Sequence, residues 1–392
     1  MAEPVVKFVS QKISKIRFRP SEQQGLQQSN IFVTGSWDND ENKLSFWRLP
    51  PSPLDKGASF HDTLSSVAAG ASGPGDILDR LDAEPQLICE ERHVGDVTDI
   101  KFVNEATLLV SSSSGTVQAY RYNGTQKSLQ PTQTWESLHR LRSRECPCTC
   151  MSVSGTDVTT CGEDGKINVL RLEHKHPVRT IDNADSCTIN ALTHLKSHEV
   201  VAVNATGQLK IWDLRQPGSE PSRVFLLTGE KVPLHCVDRH PTQPHLVAAG
   251  SQGGLLNVWD LRKEKFPVTL FDGHQGHIWE VKFHPGNPDN LFTCSEDGMV
   301  LHWDGTGGQT AASAATGVGV GGGFGLGGLP NKPSNADHIS PWLSTDPSRP
   351  IDTNEVLPAN TMPVNSLDVD GDRLVCGTDG EAIFVASNIF CR

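Results

Sequence analysis

The sequence lacks long apolar runs: it has no 18 consecutive apolar residues, and no apolar stretch typical of a signal peptide follows Met1. A membrane-spanning helix needs about 20 such residues. We therefore expect a soluble protein of the cytosol and nucleus that makes no direct membrane contact. In those compartments the ten cysteines are expected to be reduced thiols rather than disulfides.

Positive charge is also scarce, because 34 Lys and Arg residues face 46 Asp and Glu residues and give a net charge of −12. A sequence-independent DNA or RNA binder needs a basic surface to displace counterions, so this class is excluded. One basic stretch, Lys7–Arg19, alternates polar and apolar residues with period two. This alternation predicts a strand rather than a nucleic-acid-binding arm.

Motifs for catalysis and cofactor binding are missing. No G-x-S-x-G elbow is present, and Gly165-Lys166 is followed by Ile167 rather than the Ser or Thr of a phosphate loop. The cysteines of "CPCTC", Cys146–Cys150, lack the paired C-x-x-C spacing of structural zinc sites. We therefore expect no enzyme activity, no metal and no cofactor.

A repeated pattern is present instead. The stretch "LFTCSEDGMVLHWD", Leu291–Asp304, combines an apolar run, an Asp-Gly turn, a second apolar run and Trp-Asp. Similar stretches recur along the chain, and five turn glycines lie 50, 42, 46 and 45 residues apart: Gly115, Gly165, Gly207, Gly253 and Gly298. Cys, Glu and His vary between the copies while the turn persists, so the pattern is structural. Its period of about 40–45 residues is typical of the WD-repeat β-propeller family.

Counting inner strands predicts an all-β, seven-bladed WD-repeat β-propeller that occupies residues 1–392 as a single domain. The expected inner strands lie near Ile13–Phe18, Val97–Phe102, Cys148–Val153, Thr188–Leu192, Pro233–Val237, Ile278–Phe283 and Val364–Val369. The last repeat has only three strands and ends near Ser387, whereas Pro4–Gln11 precedes the first blade. We predict that this N-terminal strand pairs with the C-terminal blade and closes the ring, which hides two sheet edges.

Two segments do not fit the repeat. Residues 50–85 form an insertion in blade one that is rich in Ser, Ala, Gly and Pro. Residues 305–349 form an insertion in blade six, and Gly305–Leu329 holds eleven glycines in 25 residues. Such a composition does not offset the entropy of ordering, so we expect the glycine-rich insertion to be disordered.

The WD-repeat resemblance implies a buried hydrogen-bond chain in the most complete blade, blade six. In that family a His before the inner strand, a Ser or Thr of the second strand, the turn Asp and the third-strand Trp are linked. The matching residues here are His274, Ser295 (with Thr293 as the alternative), Asp297 and Trp303. A partly desolvated carboxylate needs such donors.

Two tandem W-D-x-R endings, Trp212–Arg215 and Trp259–Arg262, resemble those of WD-repeat substrate receptors of cullin-RING ubiquitin ligases. This gives an alternative function, which requires both arginines to be exposed on one face. The simpler interpretation is that Arg at the end of a third strand pairs with a nearby acid.

The chain as a whole is similar to the small seven-bladed WD-repeat nucleoporin family of the Y-shaped scaffold complex. The resemblance is carried by "KFVSQKISKIRFRP", "GQLKIWDLRQ", "FHPGNPDNLFTCSEDG" and "LVCGTDGEAIFV", among others. It implies a structural subunit of the nuclear pore outer rings that acts in pore assembly, mRNA export and protein transport. It also implies attachment to the α-solenoid short arm of the Y and association with kinetochores in mitosis. We expect no direct nucleic-acid contact and no homo-oligomer.

Partner contacts are usually made by a few aromatic or Arg side chains. Four such residues lie outside the strand pattern and are therefore expected to be exposed: Trp135, Arg140, Arg142 and Trp342. Either Trp can equally belong to the core of its blade.

Overall fold

Each repeat folds into a four-stranded antiparallel sheet in which the strands follow one another from the inside of a ring to its outside. The computed structural model describes residues 3–21, 28–50, 84–263, 265–306, 340–344 and 351–390. Within these residues the seven sheets form the seven predicted blades. Residues 51–83, 307–339 and 345–350 lie outside the described part, so the predicted insertions stay predictions.

The first four blades follow one another in chain order, and each consists of four consecutive strands. Blade one holds Ile13–Phe18, Ile31–Ser36, Asn42–Arg48 and Gln86–His93; blade two holds Val97–Phe102, Thr107–Ser112, Val117–Asn123 and Ser128–Trp135. Blade three holds Cys148–Ser154, Asp157–Gly162, Ile167–Arg171 and Arg179–Ile181; blade four holds Ile189–Lys196, Glu199–Asn204, Gln208–Asp213 and Arg223–Leu226.

The remaining blades complete the ring. Blade five holds Leu234–Arg239, Leu246–Ser251, Leu255–Asp260 and Thr269–Asp272; blade six holds Ile278–Phe283, Asn290–Ser295, Val300–Asp304 and Asp352–Leu357. Blade seven holds Val364–Asp370, Arg373–Thr378 and Ala382–Ser387, and its outer strand is Val5–Phe8. Val5 pairs with Val385 and Phe8 with Ala382. The predicted closure by the N-terminal strand is therefore confirmed.

The hydrophobic core lies between the blades. Seven clusters of buried side chains occupy the seven junctions between neighbouring blades. Because each sheet is covered on both faces, its second strand is buried along nearly its whole length instead of alternating between buried and exposed residues. All six residues of Leu246–Ser251 and of Asn290–Ser295 are buried, for example.

Small residues let adjacent blades approach closely. A Cβ atom added at Gly35, Gly250 or Gly377 would lie within 2.5 Å of the side chain that begins the inner strand of the next blade. No real side chain fits at that distance, so these second strands need glycine at this one position.

A set of side-chain hydrogen bonds joins the inner strands. At five junctions the second residue of an inner strand donates to the first carbonyl of the next inner strand, over 2.5–2.9 Å: Ser14 to Val97, Thr98 to Cys148, Thr149 to Ile189, Asn190 to Leu234, and Asn365 to Ile13. At the blade five junction the corresponding residue is His235, and Cys236 Sγ contacts the Ile278 carbonyl instead at 3.4 Å. Blade six has Trp279 at this position.

The turns between second and third strands lie at the end of the ring that we call the upper face. Their glycines have positive φ and contact the backbone of the connection that enters the next blade: Gly115, Gly165, Gly207, Gly254 and Gly298. Blade five thus uses Gly254 rather than the Gly253 counted in the repeat. The upper face therefore consists of tightly packed turns and connections, on which exposed side chains are held at fixed positions.

Candidate interaction surface

The blade-six hydrogen-bond chain links three of its four predicted members. His274 Nδ1 lies 3.0 Å from Asp297 Oδ2, and His274 Nε2 lies 2.7 Å from Thr293 Oγ1. Trp303 Nε1 donates to the same Thr293 oxygen over 2.9 Å. Ser295 is not the middle residue, because its hydroxyl accepts the backbone N–H of Asp297 at 3.2 Å. The second strand turns Thr293 towards His274 and Trp303.

The pKa shifts in this chain agree with a neutral imidazole. Burial lowers the pKa of His274 despite the nearby carboxylate. Burial alone would raise the pKa of Asp297, but the amides of Gln275 and Met299 and the His274 ring together hold it below its usual value. A neutral His274 therefore donates from Nδ1 to Asp297 and accepts from Thr293 at Nε2.

Blade three contains a second such chain, which the sequence pattern did not reveal. His139 Nδ1 lies 2.9 Å from Asp164 Oδ1, and His139 Nε2 lies 2.9 Å from Thr160 Oγ1. Asn168 donates to the Leu138 carbonyl in place of a Trp contact. The available signal was a His nine residues before the inner strand Cys148–Ser154, but it follows Leu138, whereas His274 of blade six follows Gly273 and lies four residues before its inner strand.

Trp135 and Trp342 are core residues, so the expectation that they are exposed for partner contacts is wrong, and the alternative that each belongs to the core is the one observed. Trp135 ends the outer strand of blade two, is buried, and donates from its ring N–H to the His174 carbonyl over 2.9 Å. Trp342 lies in a single 3-10 turn, Pro341–Leu343, and is completely buried. Its ring packs on Phe283 and donates to the Pro288 carbonyl over 3.0 Å. A large apolar surface is buried even where the local sequence leaves the repeat pattern.

Arg140 and Arg142 are exposed, as predicted, on a short hairpin of the upper face. The hairpin consists of Arg140–Leu141 paired with Arg144–Glu145 and is inserted between blades two and three. We call residues 140–145 the arginine hairpin. Leu141 is 57% exposed, and Arg144 adds a third exposed guanidinium group. The sequence reasoning did not single out Leu141 or Arg144.

Charged side chains from the inner strands line the centre of the ring. Arg17 bonds to both carboxylate oxygens of Glu280, one of them at 3.2 Å, and also lies 3.5 Å from Asp99. Lys101 pairs with Asp99 at 3.5 Å. A cavity of about 120 Å³ remains beside these groups. Because its cations and anions pair with each other, the arrangement is that of a structural network rather than of a site for a charged ligand.

The two W-D-x-R arginines are exposed, with 66% of the Arg215 side chain and 60% of the Arg262 side chain accessible. Each guanidinium group, however, binds the Asp two residues before it: Arg215 Nη2 lies 2.8 Å from Asp213, and Arg262 Nη2 lies 2.9 Å from Asp260. Each of the two arginines is therefore exposed, as the alternative function requires. Each also pairs with a nearby Asp, as the simpler interpretation expects.

The described residues show no grouping of three His, Cys, Asp or Glu side chains that suits a metal ion. In the same part of the chain, no helix is long and apolar enough to cross a bilayer. Burial raises the pKa of the Cys148 and Cys161 thiols well above the usual value, so both stay protonated and unreactive.

Comparison with known proteins identifies the family. Residues 124–320 match the model of the Nucleolar protein 10-like, N-terminal domain, a match over half of the chain that places it in this β-propeller family. Over 402 aligned residues the chain is 44% identical to Nucleoporin Nup43 of Mus musculus and 42% identical to that of Homo sapiens, and both chains are covered completely. The chain belongs to the Nup43 family of nucleoporins.

A more distant Nup43 relative, the nuclear pore complex protein nup43 of Dictyostelium discoideum, is 26% identical over 59% of this chain and 51% of its own length. Membership in the Nup43 family makes the chain a nucleoporin and not an enzyme. The resemblance to a small WD-repeat nucleoporin is thereby confirmed.

Proposed function

We propose that this Nup43-family chain is a non-catalytic scaffold subunit of the nuclear pore complex. The observation that carries the proposal is the 44% identity to a nucleoporin over the full length of both chains. The closed ring supports a structural role, because the described strands fill all seven blades and leave no blade for a partner to supply. Such a ring docks as a finished disc and offers loops and strand edges to its neighbours.

In finer detail, we propose a position in the Y-shaped complex of the outer rings, attached to its α-solenoid short arm. From there the subunit would serve pore assembly, mRNA export and protein transport, and would follow the complex to kinetochores in mitosis. In this role it does not form a homo-oligomer. Arg140 and Arg142 are the proposed partner contacts, since both are exposed on the upper face.

Co-purification from nuclear extract at moderately high salt tests this function. The tagged full-length chain is compared with a variant that lacks residues 307–336. Recovery of scaffold nucleoporins in equal amounts by both supports a pore subunit, and loss in the deletion variant alone moves the contact to the deleted segment. Recovery of no nucleoporins by either protein contradicts the proposal. The same purification from mitotic cells tests for kinetochore proteins.

A second candidate function follows from the exposed Arg215 and Arg262 side chains: a substrate receptor of a cullin-RING ubiquitin ligase. It predicts that a cullin adaptor is recovered with the full-length chain and is lost in an R215A/R262A variant. Recovery of nucleoporins without an adaptor decides against it.

A further inference from the structure

The arginine hairpin presents its side chains in a defined arrangement. Arg140 lies opposite Glu145 and Leu141 opposite Arg144, with Arg142 and Ser143 forming the turn. Directly opposite residues of a hairpin share a face. Leu141 and Arg144 therefore project on one face, where an exposed apolar side chain lies beside a guanidinium group.

The base of the hairpin is rigidly attached to blade three. The Arg140 amide donates to Asp164 Oδ2 over 2.9 Å, and the other oxygen of that carboxylate binds the buried His139 ring. The Cys146 amide closes the hairpin by donating to the His139 carbonyl over 3.3 Å. The second hydrogen-bond chain thus fixes a protruding hairpin, and a fixed surface loses little entropy when a partner binds.

The three arginines of the hairpin have no acidic partner in the described part of the chain, where no carboxylate lies within 4.0 Å of their guanidinium groups. Glu145 is opposite Arg140, yet it accepts from the Ser137 hydroxyl while Arg140 turns to the Ser143 carbonyl. The other exposed acids near the base are Glu136 and Glu163. In a chain with net charge −12, these three guanidinium groups are available for an external anion.

A second exposed apolar side chain, Val94, lies on the far side of the blade-two turn from the hairpin. Val94 is 80% exposed, and its carbonyl accepts from Ser112 Oγ over 2.6 Å at one side of this turn. At the other side Gly115 accepts the amide of Leu138, just before the hairpin. The turn has Ser114 where blades three and six have an Asp, so it adds no negative charge between Val94 and Leu141.

We propose that the arginine hairpin and Val94 form a docking surface for an acidic segment of a protein partner that also carries apolar side chains. Carboxylates pair with Arg144 beside Leu141 and with Arg142 in the turn, while Arg140 adds positive charge at the base of the hairpin. The apolar side chains cover Leu141 and Val94. A protein fits better than a nucleic acid, because a phosphate backbone leaves these two apolar side chains uncovered. The proposal rests on the proposed scaffold function, because the partner is another subunit of the pore assembly.

Charge reversal on the full-length chain tests the surface. In an R140E/R142E/R144E variant we expect recovery of scaffold nucleoporins at 0.15 M salt to fall by about tenfold or more, since like charges then meet. The matched control, K127E/K175E/K265E, makes the same charge change at three exposed lysines in connections between third and outer strands, away from the upper face, and should retain normal recovery. Equal thermal unfolding of both variants shows that neither has lost the fold.

The outcomes separate this proposal from the proposed function. Normal recovery by the hairpin variant overturns the docking surface and leaves the scaffold function standing. An equal loss in both variants also overturns it, because the effect is then one of net charge. If the unchanged chain recovers no nucleoporins, the scaffold function fails and the docking proposal fails with it.

A photo-crosslinking residue at Leu141 identifies the partner segment in the intact assembly, with Leu270, 54% exposed on blade five, as the control position. We expect a crosslink to a segment in which Asp and Glu outnumber Lys and Arg. Changing those acids to Lys should restore binding to the R140E/R142E/R144E variant. A crosslink to RNA, a crosslink to a basic segment, or failure of the charge exchange to restore binding contradicts the proposal.

Discussion

Arg17 in blade one binds Glu280 in blade six, although blade seven separates the two in the ring. The Glu280 carboxylate also accepts from the Ser366 hydroxyl of blade seven over 2.6 Å. Burial alone would raise the pKa of Glu280, but Arg17 and Lys15 reverse this effect and hold it well below its usual value. One buried ion pair thus connects the three blades around the point of ring closure.

Replacing Glu280 with Gln should destabilise the protein by about 3–5 kcal/mol, because buried Arg17 then loses its bidentate partner and keeps only the weaker interactions with Asp99, at 3.5 Å, and Asp368. In an R17M/E280L variant, which removes both charges, we expect most of this loss to be recovered. Urea denaturation measures both free energies of unfolding. A change of less than about 0.5 kcal/mol for E280Q would show that the pair does not stabilise the ring.

Acid should destabilise the protein through its buried histidines. Burial lowers the pKa of His194 to about 4, and the same holds for His93 and His240. The unfolded chain, with a His pKa of about 6.5, binds more protons between pH 6.5 and 4, so the free energy of unfolding falls as pH decreases through this window. NMR titration of the His194 ring checks this, and a midpoint near 6.5 would contradict it.

The blade-six chain predicts different effects at two neighbouring hydroxyl residues. Thr293→Val leaves Trp303 Nε1 and His274 Nε2 buried without partners and should cost about 1–3 kcal/mol. Ser295→Ala removes only the acceptor of the Asp297 amide and should cost about 1 kcal/mol. Thermal and urea unfolding compare the two variants. A larger effect at Ser295 would mean that the chain runs through Ser295 after all.

Deletion of residues 1–11 should lower the melting temperature by on the order of 5 °C or more. The deletion removes the outer strand of blade seven, exposes the edge of Ala382–Ser387, and takes Val5 and Val9 from the junction with blade one. We also expect aggregation that increases with protein concentration, because an open edge strand pairs with other chains. A variant without residues 1–3, which precede the strand, is the control. Similar melting and solubility of the two variants would contradict the role of the strand in closure.

Much of the fold could be predicted because the repeat supplies its own internal check. Five copies reproduce the turn glycine and all seven reproduce the buried second strand, so a weak pattern in one copy is supported by the others. The interblade bonds also left a readable signal: the second inner-strand residue is Ser, Thr or Asn in five of seven blades, as at Ser14 and Asn365. That signal becomes meaningful only when the strands are known to be adjacent.

The functional surface was harder to predict, because exposure depends on packing between distant parts of the chain. Trp342 lies outside the strands of blade six, in the long connection between Val300–Asp304 and Asp352–Leu357, yet it packs on Phe283 and Pro288 and is buried. Arg140 and Arg142 also lie outside the strand pattern of the sequence. They are nevertheless exposed, because they belong to a hairpin that is not part of any blade. The choice between Thr293 and Ser295 likewise depends on which hydroxyl the strand turns towards His274.

The pairing of Val5 with Val385 also sets the order of events during protein synthesis, because Val385 comes 380 positions after Val5 in the chain. At about 5–20 residues per second, roughly 20–80 s pass between the emergence of the first strand and that of its partner. During this interval the N-terminal strand lacks the strand with which it pairs in blade seven. The nascent ring therefore stays open until late in translation. A ribosome-associated chaperone that protects unpaired strands would bind this N-terminal strand first.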